Sequence, residues 1–435
     1  MKKSKLLVLP MILALAACNQ QPAQYNVRAD LPSGGEEIKA EEAPEGERSD
    51  YEAGLDAFSQ ALANTFNQDA YQIDLNVNLS AKDIPVDSEG KVKASANLNA
   101  NVGVSLLLPV GERKYSAAKI DVKNLTISVN NVPTSYDEEG KPVYSNYNYS
   151  GLKFSAIYQV VPETGDGRRT GDVAYLYLDV SDASIKGVLK EVYDQFIGSM
   201  SQVSTLTLRD PDEDPTGAPA IPTFDELIGS GKLYLNLTQV LALVASSESA
   251  PEELKNLPVD VLGYFVSTGF STAKGYAPAF GSAILSFLGN NLPFFKQWKG
   301  SDGEVNRMGL SVELDVVKMI NDMSQPVADD ARRMAVPSTG EVSEETNPTE
   351  MFDRCRAGAA IVVGSTTGSK NGMALEYAEV KADVAIKESA TIQGGVRLDF
   401  KYNDQVSYAP LDAAGIAAYD VDALLIASQL MPVQG

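Results

Sequence analysis

The sequence predicts a mainly β fold with accessory helices: a strongly curved antiparallel sheet or half-open barrel carrying a helical lid or insertion. Three observations predict it. Apolar and polar residues alternate unbroken over long stretches, which is the period of a strand with one wet face. Two stretches change phase midway, the mark of a β-bulge that bends and twists its strand. One aromatic-rich stretch, about 233–298, switches to helical spacing.

The elements follow in chain order. Leu55, Phe58, Leu62 and Phe66 share one face at helical spacing and predict the first helix. In Tyr71 to Ser80 every odd position is apolar and every even one polar, a half-buried strand. From Lys91 to Leu106 sixteen residues alternate, about 54 Å of strand at 3.4 Å per residue. Such a strand must bend, and Gly103 with its neighbouring alanines lets it curl. Further strands are expected at 119–130, 152–160, 173–180, 202–208, 310–316, 373–386 and 392–402. The phase changes fall where Ile120 and Val122 give way to Leu125, and where Leu375 and Tyr377 give way to Val380. Three times an apolar strand ends in Asp or Asn before an apolar helix, at Asp179, Asn236 and Asp315. These are read as short polar side chains capping strand exits.

Between Leu233 and Trp298 helical spacing dominates, through Val259, Leu262, Phe265 and Val266, then Phe280, Ala283, Ile284, Phe287 and Leu288. Residues 264–298 hold nine of the chain's 33 aromatics. Lys274 and many Gly, Ser and Thr interrupt the apolar run, which argues against a membrane span. Two readings stand: a helical hairpin closing the core, or an apolar lid over a cavity. On the second, Phe265, Phe270, Phe280, Phe287, Phe294, Phe295 and Trp298 are the candidate ligand-binding residues.

The N-terminus is read as an address. Lys2, Lys3 and Lys5 precede an apolar run from Leu6 to Leu15, too short to span a bilayer. Leu15-Ala16-Ala17-Cys18 closes it and resembles the lipobox of bacterial lipoproteins. That resemblance implies export, lipid on the Cys18 sulfur and cleavage before it, making 1–17 a signal peptide. The alternative is an ordinary cleaved signal. By family analogy Asn19, where aspartate favours inner-membrane retention, points to the outer membrane if the cell has two membranes. Residues 18–50 crowd glutamates with few large apolar groups and are expected to form a disordered acidic tether. At about 32 residues its root-mean-square reach is about 30 Å. Residues 51–435 are expected to form one β-rich domain. The runner-up is two β-rich subdomains split near Pro211–Thr223.

Composition narrows function. The chain has no histidine, which removes Ser-His and Cys-His catalysis and imidazole-built zinc sites. Its net charge of −22 falls to about −25 once the three signal lysines are removed. Such a chain is repelled by nucleic acid and anionic headgroups, so the membrane partner is reached through the lipid. If the lipid occupies Cys18, Cys355 has no disulfide partner; it is read as a half-buried small hydrophobe beside Arg354 and Arg356. Gly364 to Lys370 misses the phosphate-loop spacing and is read as a hairpin loop. Asp210, Asp212 and Asp214 lack the calcium-loop Gly and Glu and are read as a solvated loop. Tyr136, Tyr144, Tyr147 and Tyr149 flank a turn at 138–142, a hairpin tip with exposed tyrosines.

A lipid-anchored cysteine, a polar tether, the Leu55–Phe66 helix and then the Tyr71–Leu79 and Val92–Leu106 strands resemble, in that order, the LolA/LppX-type envelope lipoproteins. The resemblance covers about half the chain and implies a half-open barrel with helices across its concave face, carrying acyl chains or lipoproteins. The expected function is therefore binding of an apolar ligand, with no catalytic residue, metal or cofactor. The competing expectation is a scaffold with a fully packed interior, and a third class is an enzyme using carboxylates such as Asp179 or Asp315.

Overall fold

The structure, a computed structural model, describes residues 26–28, 36–38, 48–87, 90–165, 168–203, 223–247, 250–288, 295–319, 352–365, 367–387 and 389–430. Its strands are β1 (Glu36–Ile38), β2 (Ala70–Pro85), β3 (Lys93–Leu107), β4 (Ala117–Tyr136), β5 (Pro142–Gly165), β6 (Arg168–Asp179), β7 (Lys232–Asn236), β8 (Phe295–Lys299), β9 (Val305–Asp315), β10 (Phe352–Gly364), β11 (Ala374–Ile386), β12 (Ala390–Tyr402) and β13 (Val421–Asp422). The main helices are α1 (Arg48–Thr65), α2 (Ala183–Val203), α3 (Phe224–Ile228), α4 (Leu237–Ala245), α5 (Glu252–Lys255), α6 (Val261–Leu288), α7 (Ala413–Ala417) and α8 (Ala423–Leu430).

All thirteen strands join one unclosed sheet in the order β1-β8-β9-β10-β11-β12-β2-β3-β4-β5-β6-β7-β13. Two antiparallel meanders, β2–β7 and β8–β12, meet where β12 pairs with β2. One edge pair, β13 with β7, is parallel, so the sheet is mixed. The alternation that predicted the strands now acts across them. A row of Ala378, Leu398, Leu75, Val102 and Val122 crosses five strands on one face, and Val380, Val396, Val77, Ala100 and Leu125 form the next apolar row. Between them, on the opposite face, run Glu379, Arg397, Asn76, Asn101 and Asn124.

Both predicted bulges occur, one of them displaced. At the β3–β4 pairing, register slips between Val122 and Leu125. This puts Asn124 opposite Asn101 and lets Lys123 reach Asp74 at 2.7 Å, so both stand on the polar face. In β11 the slip lies between Leu375 and Tyr377, nearer the strand start than the 377–380 handover suggested. Tyr377 therefore points to the polar side, away from Leu375. The expected strand at 202–208 is not formed where the structure describes it, because 202–203 end α2; the remainder lies outside the described residues.

One end of the sheet is covered on both faces. On the apolar face α1 sets Phe58, Ala61 and Leu62 against Phe295, Met308, Leu310 and Val363. There the chain enters α6 over Tyr158 and Ala174, with Val259 just before the helix and Leu262 in its first turn, and α6 carries Phe270 onto Tyr71, Leu106 and Phe400. On the polar face the segment after β12 runs back across the sheet. Ser407 meets Gln72, Leu411 pairs with Gln159 in both directions at 2.9 and 3.0 Å, and Tyr419 packs on Tyr177 at 5.0 Å before β13.

Two expectations need correction. The helical insertion at 233–298 is not wholly helical: it begins inside β7 and ends inside β8. Its long helical part is not a hairpin but the single 28-residue α6. Isolated glycines such as Gly269 and Gly275 cost a helix only about 1 kcal/mol each, too little to break it. Nor are residues 18–50 disordered throughout. Glu36–Ile38 pair with β8, Lys296 reaches Glu37 at 2.9 Å, and α1 begins at Arg48. Val27 is fully buried, with its carbonyl lying where a side chain on Gly358 would stand, and Lys381 donates to the Arg28 carbonyl at 3.3 Å. A sheet edge recruits whatever backbone lies beside it, even from an acidic segment.

Candidate functional site

The strongest candidate is the part of the apolar sheet face that the helices leave incompletely covered. Its middle row runs Val312, Ala359, Val380, Val396, Val77, Ala100, Leu125 and Leu152 across eight strands. At about 4.8 Å per strand it extends about 34 Å. Leu75 and Leu79 hold flanking rows, about 14 Å apart along β2. Only Leu152 of the middle row is buried; Val380 is 55% exposed and the rest are half-buried. The seven buried clusters among the described residues lie around this field, and the row from Val312 to Leu125 belongs to none of them. Ile120 and Leu314, 45% and 41% exposed, extend the apolar surface toward the strand ends.

The residues singled out by sequence scatter around this field. Phe265 is 57% exposed and touches the Tyr264 ring at 5.4 Å, on the outer side of α6. Phe270 is half-buried, its ring 5.0 Å from Tyr71 and 5.7 Å from Phe66, and closes one end. Phe295 belongs to the packed cluster under α1, edge-on to Phe58 at 5.9 Å. Trp298, three residues on in the same strand, faces the other way and packs with Ala360, Val362 and Tyr377. The period of two in β8 separates these two, which a helical reading had placed together. Phe280 and Phe287 belong to the backbone of α6, but their side chains, like Phe294 and Cys18, lie outside the described residues.

The polar residues at the strand exits have structural partners. Asp179 accepts from the backbone and hydroxyl of Ser181, Asn236 from the Gln239 N–H, and Asp315 from the Lys318 N–H. All three cap strand exits, as their recurrence predicted. β10 and β11 pair as an antiparallel hairpin, and Lys370, in the connection between them, is paired to Asp69. Asp210, Asp212 and Asp214 lie outside the described residues. The Tyr136 and Tyr147 side chains at the β4–β5 tip are 73% and 42% exposed. Burial, followed by the Asp315 charge, raises the Cys355 thiol above its ordinary pKa, away from a reactive thiolate.

Sequence reasoning missed Val380, Val396 and Leu398 as site residues, although their alternation was in plain view. The aromatics of α6 are a local signal, whereas the aliphatic rows align only through strand register. No known protein-family model matches the chain, and a search of curated proteins finds no significant relative. No helix among the described residues is long and apolar enough to cross a membrane.

Proposed function

We propose that this chain is a lipid-anchored envelope protein that binds or carries an apolar ligand, an acyl chain or lipid, against the half-covered face of its sheet. One observation carries the reading: an aliphatic row spans eight strands, yet seven of its eight residues stay half-buried or exposed. Folding alone gains most by burying such a row. Each methylene moved from water onto it contributes about 0.8 kcal/mol, so one acyl chain supplies ample affinity. An unclosed sheet with helices on its apolar face also agrees with the resemblance to LolA/LppX-type lipoproteins. The membrane is the expected partner through Cys18, and the proposal involves no nucleic acid, cofactor or catalytic residue.

The test is native mass spectrometry of protein purified without detergent, followed by titration with a fluorescent fatty acid. Co-purified lipid, or saturable binding displaced by unlabelled fatty acid, is the expected result. Protein that arrives empty and binds none would overturn it. The exposed Tyr136 and Tyr147 at the β4–β5 tip favour the second reading, a surface-interaction protein. The anchor has its own test. Cys18→Ser should leave an uncleaved precursor that no longer partitions into detergent, and normal maturation would refute it.

A further inference from the structure

We propose that the polar face of β12, β2, β3 and β4 holds a second binding site, for a neutral carbohydrate chain. A depression of about 380 Å³ lies there, and Asn76, Asn78, Asn99, Asn101, Asn124 and Gly395 are among the residues that line it. Asparagine is among the residues least suited to strands, and a wet face would be served better by Thr. Here the asparagines recur at alternate positions on neighbouring strands, with Asn76 opposite Asn101 and Asn78 opposite Asn99.

The fold gains little from them in return. Asn101 donates to Asn76 at 2.7 Å, and the other oxygen of that pair, Asn101 Oδ1, is buried without a partner. The side chains of Asn78, Asn99 and Asn124 make no hydrogen bond among the described residues, and those of Asn78 and Asn124 are exposed. A local preference broken repeatedly without structural gain marks a functional surface.

The charges around the depression set the ligand class. Arg397 is held by Asp399 at 2.8 Å and lies over the Tyr377 ring at 4.2 Å. Lys381 pairs with Glu379 at 3.2 Å, and Lys123 with Asp74 at 2.7 Å. Each positive group is matched by a negative one, so an ionic ligand would meet no uncompensated charge. What remains are carboxamides, each offering two donors and an acceptor. Sugar hydroxyls likewise both donate and accept. The array repeats at about 4.8 Å across strands and about 6.8 Å along them, which suits a repeating polyhydroxyl chain.

The experiment is affinity electrophoresis of the intact protein in gels holding dextran, laminarin, galactomannan or xyloglucan, with polygalacturonate as the anionic control. The expected result is retardation in at least one neutral gel. The triple variant Asn78→Thr, Asn99→Thr, Asn124→Thr should weaken it at least tenfold. Threonine suits strands, so the variant should melt no lower than the parent and keep any apolar ligand bound on the opposite face. Absence of retardation in every neutral gel, equal retardation of the variant, or retardation by polygalacturonate alone would overturn the proposal. Because the two sites lie on opposite faces, failure here leaves the acyl-binding result readable by itself.

Discussion

Two regions of the same apolar face, the cluster under α1 and the field centred on Val77, are built from the same kinds of side chain and differ in what lies over them. Under α1, Phe58, Met308, Leu310 and Val363 are 1%, 6%, 7% and 0% exposed. In the field, Leu75, Val77, Val102 and Leu398 stay half-buried and Val380 is mostly exposed. Alternation along a strand decides which face is apolar, but it does not decide whether another element covers that face. An apolar area beyond what the core uses is what a carrier needs and what a fully packed scaffold lacks.

The largest expected effect sharpens that contrast. Phe58→Ala removes a ring from a closed cluster and should destabilise the protein by about 3–5 kcal/mol. Urea denaturation measures it. A loss near 1 kcal/mol would mean that the cluster relaxes as easily as an open surface.

Alkaline pH tests the covered end by a second route. Burial pushes the Tyr71 phenol up to about 12, with the Gln68 N–H pulling it partly back, and burial also raises Tyr158, Tyr177, Tyr402 and Tyr408. In the unfolded chain these phenols ionise near 10. Their contribution to stability is therefore complete below about pH 10 and is lost as pH rises through the folded values. Phenolate absorbance and circular dichroism should change together. Ionisation of these five tyrosines near pH 10 with the fold intact would show that this end is not closed.

Much of this architecture was legible in the sequence. Leu55, Phe58 and Leu62 gave the helix face, Tyr71–Ser80 and Lys91–Leu106 gave two strands, and the handover at Val122 gave a bulge. The site was less legible, for a physical reason. Its rows are made by register, which places Val380, Val396 and Val77 side by side from segments some 300 residues apart. No local pattern encodes that pairing. The same limit hid β8, where a five-residue strand inside helix-like spacing sends Phe295 and Trp298 to opposite faces. It also hid β1, because an edge partner is chosen by proximity and not by hydrophobic period.

The N-terminal segment offers a smaller effect. Gly358→Val would place side-chain carbon where the Val27 carbonyl now sits, 1.8 Å from the new Cβ. The segment must lift, exposing a valine whose burial contributes about 1.5 kcal/mol or more. Limited proteolysis near residues 26–28 should accelerate while the sheet melts within a few degrees of the parent. Unchanged cleavage would mean that the segment does not rest on β10 in solution.

The smallest effect on stability is the most informative about the site. Val380→Ala removes two methyl groups from a side chain that is 55% exposed, so less than half of their transfer energy is at stake. The expected cost is below about 1 kcal/mol, in the range of ordinary surface substitutions. Val380→Asp should be tolerated almost as well by the empty protein, because the carboxylate keeps much of its contact with water. With a fatty acid laid across the row, the same carboxylate would have to be desolvated against hydrocarbon, which is costly for an unpaired charge. Fatty-acid affinity should then fall at least tenfold while the melting temperature hardly moves. If Val380→Ala instead costs about 3 kcal/mol, the field is packed like the cluster under α1, the two regions are alike, and the scaffold reading gains at the expense of the carrier.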